Sequence, residues 1–185
     1  MRKAHLGQVA LGLLLMLRPA VAATAAPTAT MIRACILAAA DLHREPPAVL
    51  LILLNVEGGS LGAVSRNTNG TVDIGPMQVN QIWIPALASH WHATERATFL
   101  ALRDNFCDNV EAGAWILRQG LDEAKGDFWG GVGYYHSHDP GYEQAYLHAV
   151  LEQALRLEAL ARRQSTQKPE TAAARASAPA RKGRG

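Results

Sequence analysis

Hydrophobic and polar positions alternate along most of this chain with the period of an α-helix. Between residues 30 and 45 the apolar positions follow the spacing i, i+3, i+4, i+7, which predicts a first amphipathic helix. These positions are Ile32, Cys35, Ile36 and Ala39. Residues 48–57 are apolar almost throughout, so the second helix is expected to be buried on most of its faces. Pro46-Pro47 separates the two helices and suits the first turn of the second.

The remainder of the chain also favours helices, apart from one segment of different character. Residues 58–80 are rich in Gly, Ser, Asn and Thr, and they predict loops with a short hairpin. The turn of this hairpin is Asn69-Gly70, and residues 71–74 form its strand. Further helices are predicted at 81–91, at 94–103, from Asp104 or Asp108 to about Leu121, at 128–136 behind an Asp127 cap, and at 142–162. The pattern therefore predicts a mainly α fold with a small loop and hairpin lobe.

Residues 1–22 have the three regions of a secretory signal peptide. Arg2 and Lys3 form the basic region, residues 9–17 the apolar region, and residues 20–22 a small-x-small cleavage site. The apolar region is too short to span a bilayer, so no transmembrane anchor is expected after cleavage. The protein is therefore expected to be exported.

The C-terminal segment differs in composition from the rest of the chain. Residues 161–185 consist mainly of Ala, Pro, Arg, Lys and Gly without apolar periodicity, and they are expected to be a disordered basic tail. Residues 28–160 then form a single folded domain, which is long enough to bury a hydrophobic core.

The expected export bears on the oxidation state of the two cysteines of the chain. Cys35 and Cys107 are an even number of thiols in an oxidising compartment, which favours one disulfide that closes a long loop. Such a bond stabilises the fold by roughly 4 kcal/mol in the chain-entropy model. The alternative is two buried free thiols. Because there is no C-x-x-C motif, neither a redox site nor a cysteine zinc site is indicated.

The charge of the chain argues against a nucleic-acid partner. The formal net charge is +2, and the positive excess lies in the C-terminal tail rather than on the folded domain. No cofactor is predicted. No metal site is predicted either, because the neighbouring His136 and His138 have no third ligand at a suitable spacing.

Glu57 is the candidate catalytic residue. It ends the apolar run of residues 48–56 and is followed directly by Gly58-Gly59. Desolvation of a carboxylate among apolar side chains costs several kcal/mol and raises its pKa from about 4.3 towards neutrality. A general acid needs a pKa of this kind. The alternative is an ordinary Glu at a helix C-terminus that turns towards solvent.

Residues 55–80 resemble the catalytic segment of the lytic transglycosylases with a goose-lysozyme-like (SLT-type) domain. In that family a Glu-Ser or Glu-Gly pair ends a buried helix, and a Gly-Leu-Met-Gln-like stretch follows. Here these places are taken by Glu57-Gly58 and by residues 75–80, GPMQVN. The third family motif, an aromatic residue followed by Asn or His in a helix, is matched by residues 133–137, GYYHS.

One subgroup of this family is similar in more detail. The early Cys35, the Asp-Ile-Gly of residues 73–75 and the sequence CDNVEAGAWIL around Cys107 resemble the IagB/IpgF type. These are small exported lytic transglycosylases that accompany type III and type IV secretion systems. The chain departs from the wider family at Pro76, where Leu is usual, which stiffens the loop without removing a chemical group.

The resemblance implies a lysozyme-like domain that cleaves the β-1,4 bond between N-acetylmuramic acid and N-acetylglucosamine in peptidoglycan. Glu57 would act alone, first as an acid and then as a base, and would yield a 1,6-anhydro sugar. The implied partners are peptidoglycan strands and components of the secretion apparatus. The protein would be periplasmic, or would itself be secreted through the apparatus. A hydrolytic muramidase and a non-catalytic wall-binding scaffold are the alternatives, and retention of Glu57 argues against the second.

Several side chains near Glu57 in the motifs are expected to bind substrate. They are Ser60, Ser65, Gly75, Met77, Gln78, Asn80, Tyr135 and His136. The two serines would orient Glu57 or contact sugar, and the amides of Gln78 and Asn80 would pair with acetamido groups. Met77 would line the sugar groove as an adaptable apolar wall, or would belong to the core.

The remaining candidates each have more than one interpretation. Tyr135 would hold either the Glu57 carboxyl group or the substrate acetamide with its hydroxyl. His136 stands where many relatives carry Asn, which leaves its role open. Asp73 is a second acid in the catalytic segment, and it is interpreted either as a turn cap or as a second catalytic carboxylate.

Overall fold

Helices make up most of the structure, a computed structural model that describes residues 26–176. The predicted signal peptide lies outside the described residues. The described part contains seven α-helices, one 3₁₀ helix and three short strands. The α-helices are α1 Ala29–His43, α2 Pro47–Glu57, α3 Ile84–His90, α4 Glu95–Asp104, α5 Phe106–Glu123, α6 Phe128–Tyr134 and α7 Pro140–Ala176. The strands are β1 Val64–Arg66, β2 Val72–Ile74 and β3 Val79–Asn80, and the 3₁₀ helix is Gln81–Trp83. The predicted mainly α class is confirmed.

Side-chain caps set most of the helix boundaries. The predicted caps Thr94 and Asp127 are both confirmed, since each accepts a hydrogen bond from a backbone N–H in the first turn of its helix. The predicted start of α5 at Asp104 or Asp108 is wrong. Asn105 caps this helix, because Asp104 still belongs to α4 and its carboxylate pairs with the neighbouring Arg103.

Helix α5 lies at the centre of the fold and packs against α1, α2, α4 and α6. Its inner face is made of buried apolar and small residues. A Cβ atom at Gly120 would lie 2.6 Å from the carbonyl oxygen of Gly131, so glycine is required for the close contact between α5 and α6. Close packing of this kind makes the core sensitive to added volume.

The Cys35–Cys107 disulfide is confirmed and joins α1 to the first turn of α5. The two residues are 72 positions apart, and their Cα atoms lie 5.0 Å from each other. No free cysteine remains among the described residues. A loop of this length is the case in which a cross-link restricts the unfolded chain most strongly.

Helix α2 is less buried than its apolar sequence predicted. Only Leu50 and Leu53 are fully buried, and Leu51 is 36% exposed. The helix packs against α1, α5 and α7, and these neighbours leave one side uncovered. The prediction of burial on most faces is therefore wrong in extent, although the helix itself is present.

The three strands form an antiparallel sheet in the order β1-β2-β3. The predicted hairpin is confirmed, with Gly70 at a φ of +85° in its turn, and β3 is an additional strand that the sequence did not predict. The register places Ser65 opposite Asp73, and Asp73 opposite Asn80. Side chains of directly opposite residues share one face of a sheet, so these three polar residues form a row.

Helix α7 extends beyond its predicted end near residue 162 and continues to Ala176. Ala, Arg, Gln and Lys are strong helix formers, and the growth of an existing helix needs no new nucleus. The domain boundary near residue 160 stays a prediction, and residues 177–185 lie outside the described residues. Within the described part of the chain, no helix is both long and apolar enough to cross a membrane.

Candidate active site

Glu57 is the last residue of α2, and its carboxyl group is half-buried. Gly58 follows in the left-handed conformation and ends the helix through an N–H bond to the carbonyl of Leu54. Burial raises the pKa of Glu57 to about 7; the hydrogen bond from Tyr146 opposes this shift, and the charge of Asp73 adds to it. The carboxyl group is thus partly protonated at neutral pH, as expected from the apolar run that precedes it.

Tyr146 is the direct partner of Glu57. Its hydroxyl donates a hydrogen bond of 2.6 Å to Oε1 of Glu57, across 89 positions of sequence. Tyr146 is buried on α7, and burial together with the charge of Glu57 raises the pKa of its phenol far above the usual range, so it remains a donor. Sequence reasoning missed this residue. Its spacing from Val150 on α7 indicates a core position, and nothing local connects it with Glu57.

Tyr135 does not hold the Glu57 carboxyl group, as one interpretation of the sequence expected. Its hydroxyl donates instead to the backbone carbonyl of Met77 at 2.9 Å, which ties the end of α6 to the turn between β2 and β3. The residue is nevertheless close to the site. Burial, and after it the charge of Glu57, raises the pKa of Tyr135, and its ring lies 6.3 Å from that of Tyr146.

His136 is exposed, and its ring stacks on Tyr146 with 4.8 Å between the centroids and an interplanar angle of 5°. It therefore covers the tyrosine that bonds to Glu57. His136 therefore lies between the Tyr146 ring and solvent, and its predicted contact with substrate stays a prediction.

The row of polar residues on the sheet lies near Glu57, since the charge of Asp73 acts on its carboxyl group. Asn80 donates to Asp73 Oδ1 at 2.8 Å and to Thr71 Oγ1 at 3.0 Å. Its own Oδ1 accepts from the backbone N–H of Ile82 and caps the 3₁₀ helix. The amide of Asn80, which was expected to pair with acetamido groups, is therefore largely engaged inside the protein.

The turn at residues 75–78 is held in place by a side chain that the sequence analysis did not single out. Asn109 is fully buried on α5 and accepts from the N–H of Met77 at 2.7 Å. It also donates to the carbonyl oxygens of Ile74 and Leu102, each at 2.9 Å. Its three side-chain hydrogen bonds therefore all go to backbone groups, two of them in or next to this turn. A buried Asn among apolar helix positions was the available signal.

The same turn approaches the glycines after Glu57 closely. A Cβ atom at Gly59 would clash with the carbonyl oxygen of Gly75, so only glycine fits there. Gly75 and Gln78 both have positive φ angles, +69° and +46°, and the Gln78 side chain donates to the Gly75 carbonyl at 2.8 Å. The motif therefore has glycines at these positions because the two backbone segments approach each other closely.

The other predicted binding residues lie in different surroundings. Met77 is fully buried against Gly113, so it belongs to the core, which was its alternative interpretation. Ser60 is exposed in the turn after Gly59, and Ser65 is exposed on the edge strand β1. The structure thus brings Glu57 together with Asp73, and it does not bury either serine against the carboxyl group.

Cavities of about 390 to 470 Å³ lie elsewhere in the described part of the chain, and Glu57 does not line these cavities. The cleft expected at this residue therefore stays a prediction.

Comparison of the chain with models of known protein families found no match, and a search of curated proteins found no similar sequence.

Proposed function

We propose that this protein is an exported peptidoglycan lytic transglycosylase with a lysozyme-like domain. The observation that carries this proposal is the state of Glu57, a half-buried carboxyl group with a pKa of about 7 at the end of an apolar helix. A carboxyl group in this state can donate a proton at neutral pH and take one back. The sequence motifs around Glu57 supply the substrate class by resemblance, since they are similar to those of enzymes that cleave wall glycans.

The reaction needs one acid that becomes one base. Protonated Glu57 gives its proton to the glycosidic oxygen between the two sugars while the bond from C1 of the muramic residue to that oxygen breaks. The resulting carboxylate then takes the proton of the muramic C6 hydroxyl while O6 bonds to C1. The proton count is restored, no water is consumed, and the product is a 1,6-anhydro sugar.

Tyr146 has a definite part in this cycle. Its hydrogen bond to Glu57 is stronger when the carboxyl group is ionised, because bonds to charged acceptors are stronger than neutral ones. It therefore stabilises the carboxylate that exists between the two proton transfers. Without this bond, burial alone would push the pKa of Glu57 still higher and leave a poorer acid.

Hydrolysis is the second candidate, and Asp73 is the observation that favours it. Its charge acts on Glu57, and glycoside hydrolases ordinarily use two carboxyl groups. However, Oδ1 of Asp73 already accepts a hydrogen bond from the side chain of Asn80 across the sheet, so this carboxylate has a partner within the protein. The two reactions differ in their product, because hydrolysis adds one water molecule.

Export and action near a secretion apparatus belong to the same proposal. The Cys35–Cys107 disulfide supports an oxidising compartment such as the periplasm. The resemblance to the IagB/IpgF type is what suggests a type III or type IV apparatus as the setting, in which the enzyme would open the wall locally.

The test is mass spectrometry of the sugars released from purified sacculi by the mature protein. We expect anhydro products from wild type and a loss of about 10² to 10⁴ in rate for Glu57→Gln. Glu45→Gln is the matched control, since Glu45 is also a buried glutamate with a raised pKa but pairs with Arg118 away from the site. Hydrolysed products would establish the muramidase alternative. Equal activity of a folded Glu57→Gln protein would refute the assignment of Glu57, and binding to sacculi without any product would indicate a scaffold.

A further inference from the structure

A second cluster of ionisable side chains lies where α1, α3 and α5 meet. His43 and His90 are the last residues of α1 and α3, and Glu111 stands on α5. Nε2 of His43 lies 2.6 Å from Oε1 of Glu111, and Nε2 of His90 lies 3.3 Å from the same oxygen. The three potential ligand atoms all lie within 4.8 Å of one another. The two histidines are 68 and 21 positions from Glu111, so no local motif indicates the cluster.

The carboxylate of this cluster is already oriented by a fourth residue. Nε1 of Trp91 donates to Oε2 of Glu111 at 2.6 Å, which leaves Oε1 directed at the two histidines. Metal-binding carboxylates are commonly held by an outer hydrogen bond of this kind.

An open cavity of about 470 Å³ adjoins the cluster and is lined by His90, Trp91 and Glu111. Two further polar residues line it. The hydroxyl of Thr98 is fully buried and has no hydrogen-bond partner within the described part of the chain. Asp108 faces the same cavity and is repelled by the charge of Glu111. A cation with a bound water molecule would relieve this repulsion and offer the Thr98 hydroxyl a partner.

We propose that His43, His90 and Glu111 bind a divalent transition-metal ion, with Zn²⁺ as the ion that fits best, and that the cavity supplies its fourth position. Two histidines and one carboxylate with one open position form a known type of zinc site. Tetrahedral bonds of ~2.0–2.1 Å would place the ligand atoms ~3.3–3.5 Å apart. The two histidine Nε2 atoms lie within 4.8 Å of each other and would have to approach by up to about 1.5 Å, whereas each needs a shift of less than about 1 Å relative to Oε1 of Glu111. His90 can make most of this movement because its side chain is 35% exposed.

The site would join three helices beside the Cys35–Cys107 disulfide, and it is separate from Glu57. Two of its ligands end helices, so bound metal would restrain α1 and α3 against α5 without touching the proposed active site. Its existence is therefore independent of the proposed function, and the test measures binding and stability rather than activity.

The test is titration of the chelator-treated mature protein with ZnCl₂, followed by calorimetry and by thermal unfolding. We expect one saturable equivalent, and a rise in Tm of about 5–10 °C at a hundredfold excess over Kd. His90→Gln should weaken binding by at least about tenfold and reduce the rise in Tm by about half or more; its exposure favours normal folding, which circular dichroism checks. Trp91→Phe keeps an aromatic ring but removes the hydrogen-bond donor, and it should weaken binding by about 10- to 100-fold.

His138→Gln is the matched control. Nε2 of His138 and Oε2 of Glu123 form an exposed pair 3.1 Å apart. Among the described residues, no third potential metal ligand lies close to this pair. This variant should bind Zn²⁺ like wild type. The visible spectrum of the Co²⁺ form should indicate four-coordinate geometry in wild type and in His138→Gln but not in His90→Gln. Absence of saturable binding in wild type, or equal affinity of His90→Gln and wild type, would overturn the proposal.

Discussion

Replacement of Glu57 by Gln should make the protein more stable at alkaline pH. The pKa of Glu57 lies at about 7 in the folded protein against an ordinary value of 4.5. Between these two pH values the folded state holds a proton that the unfolded state has released, so stability falls as pH rises through this window. The difference corresponds to about 3 kcal/mol, at about 1.4 kcal/mol per pH unit. A glutamine side chain at this position carries no charge and avoids this loss.

The assay is urea unfolding of both proteins at several pH values between 4.5 and 8.5. The two free energies of unfolding should be similar at pH 4.5, and Glu57→Gln should gain up to about 3 kcal/mol over wild type at pH 8.5. The quantity to compare is the difference between the two free energies of unfolding at each pH, because the contributions of all other titrating groups cancel in this difference. Glu152→Gln is the control, since Glu152 is exposed on α7 and its pair with Arg156 contributes little.

A difference that does not grow with pH would refute the reasoning. It would mean that the Glu57 carboxyl group is well solvated in the folded protein, and the pKa of about 7 would lose its physical cause. A lower stability of Glu57→Gln at pH 8.5 would have the same consequence. The result is independent of any substrate, so it tests the state of Glu57 separately from the proposed function.

Three further predictions concern the supports of the site. Tyr146→Phe removes a hydrogen bond worth about 1.5–3 kcal/mol to an ionised acceptor, so the pKa of Glu57 should rise by about 1–2 units; the alkaline limb of the kcat profile should move up equally, and an unmoved limb would contradict the bond. Joint replacement of Cys35 and Cys107 by Ser should lower Tm by about 8–16 °C, as expected for a loss of about 4 kcal/mol, and a Tm equal to wild type would speak against a constraining role. Asn109→Ala leaves three backbone groups without their partner and should cost at least about 3 kcal/mol in urea unfolding; a cost below about 1 kcal/mol would show that water replaces the amide.

Local patterns were sufficient for those parts of the fold that depend on neighbouring residues. The helices, the caps Thr94 and Asp127 and the hairpin turn at Gly70 follow from spacing and from the chemistry of single residues. The disulfide followed from the number of cysteines and the expected compartment. Glu57 could be singled out because it stands at the boundary between an apolar run and glycines, which is visible in one short segment.

Contacts between distant segments could not be predicted in this way. Tyr146 reaches Glu57 only because α7 returns to pack against α2, and its spacing alone indicates core. Asn109 looks like one more helix position until the turn at residues 75–78 is placed against α5. The burial of α2 was overestimated for the same reason, because the composition of a helix does not show how many other elements pack against it.

Glu57 and Glu111 show how packing gives one residue type two different states. Both carboxyl groups lose contact with water, and in both this loss acts to raise the pKa. Glu111 compensates it with hydrogen bonds from two imidazoles and an indole, so it stays an anion and is suited to bind a cation. Glu57 accepts one phenolic hydrogen bond and faces the negative Asp73, so its burial is not compensated and it retains a proton near neutral pH. Different environments of this kind shift the pKa values of two carboxyl groups in opposite directions within one fold, so that one holds a proton and the other stays ionised. The number of donors around each carboxylate therefore accounts for a retained proton at Glu57 and for an anion at Glu111, and exchange of these two states would require both sets of partners to change.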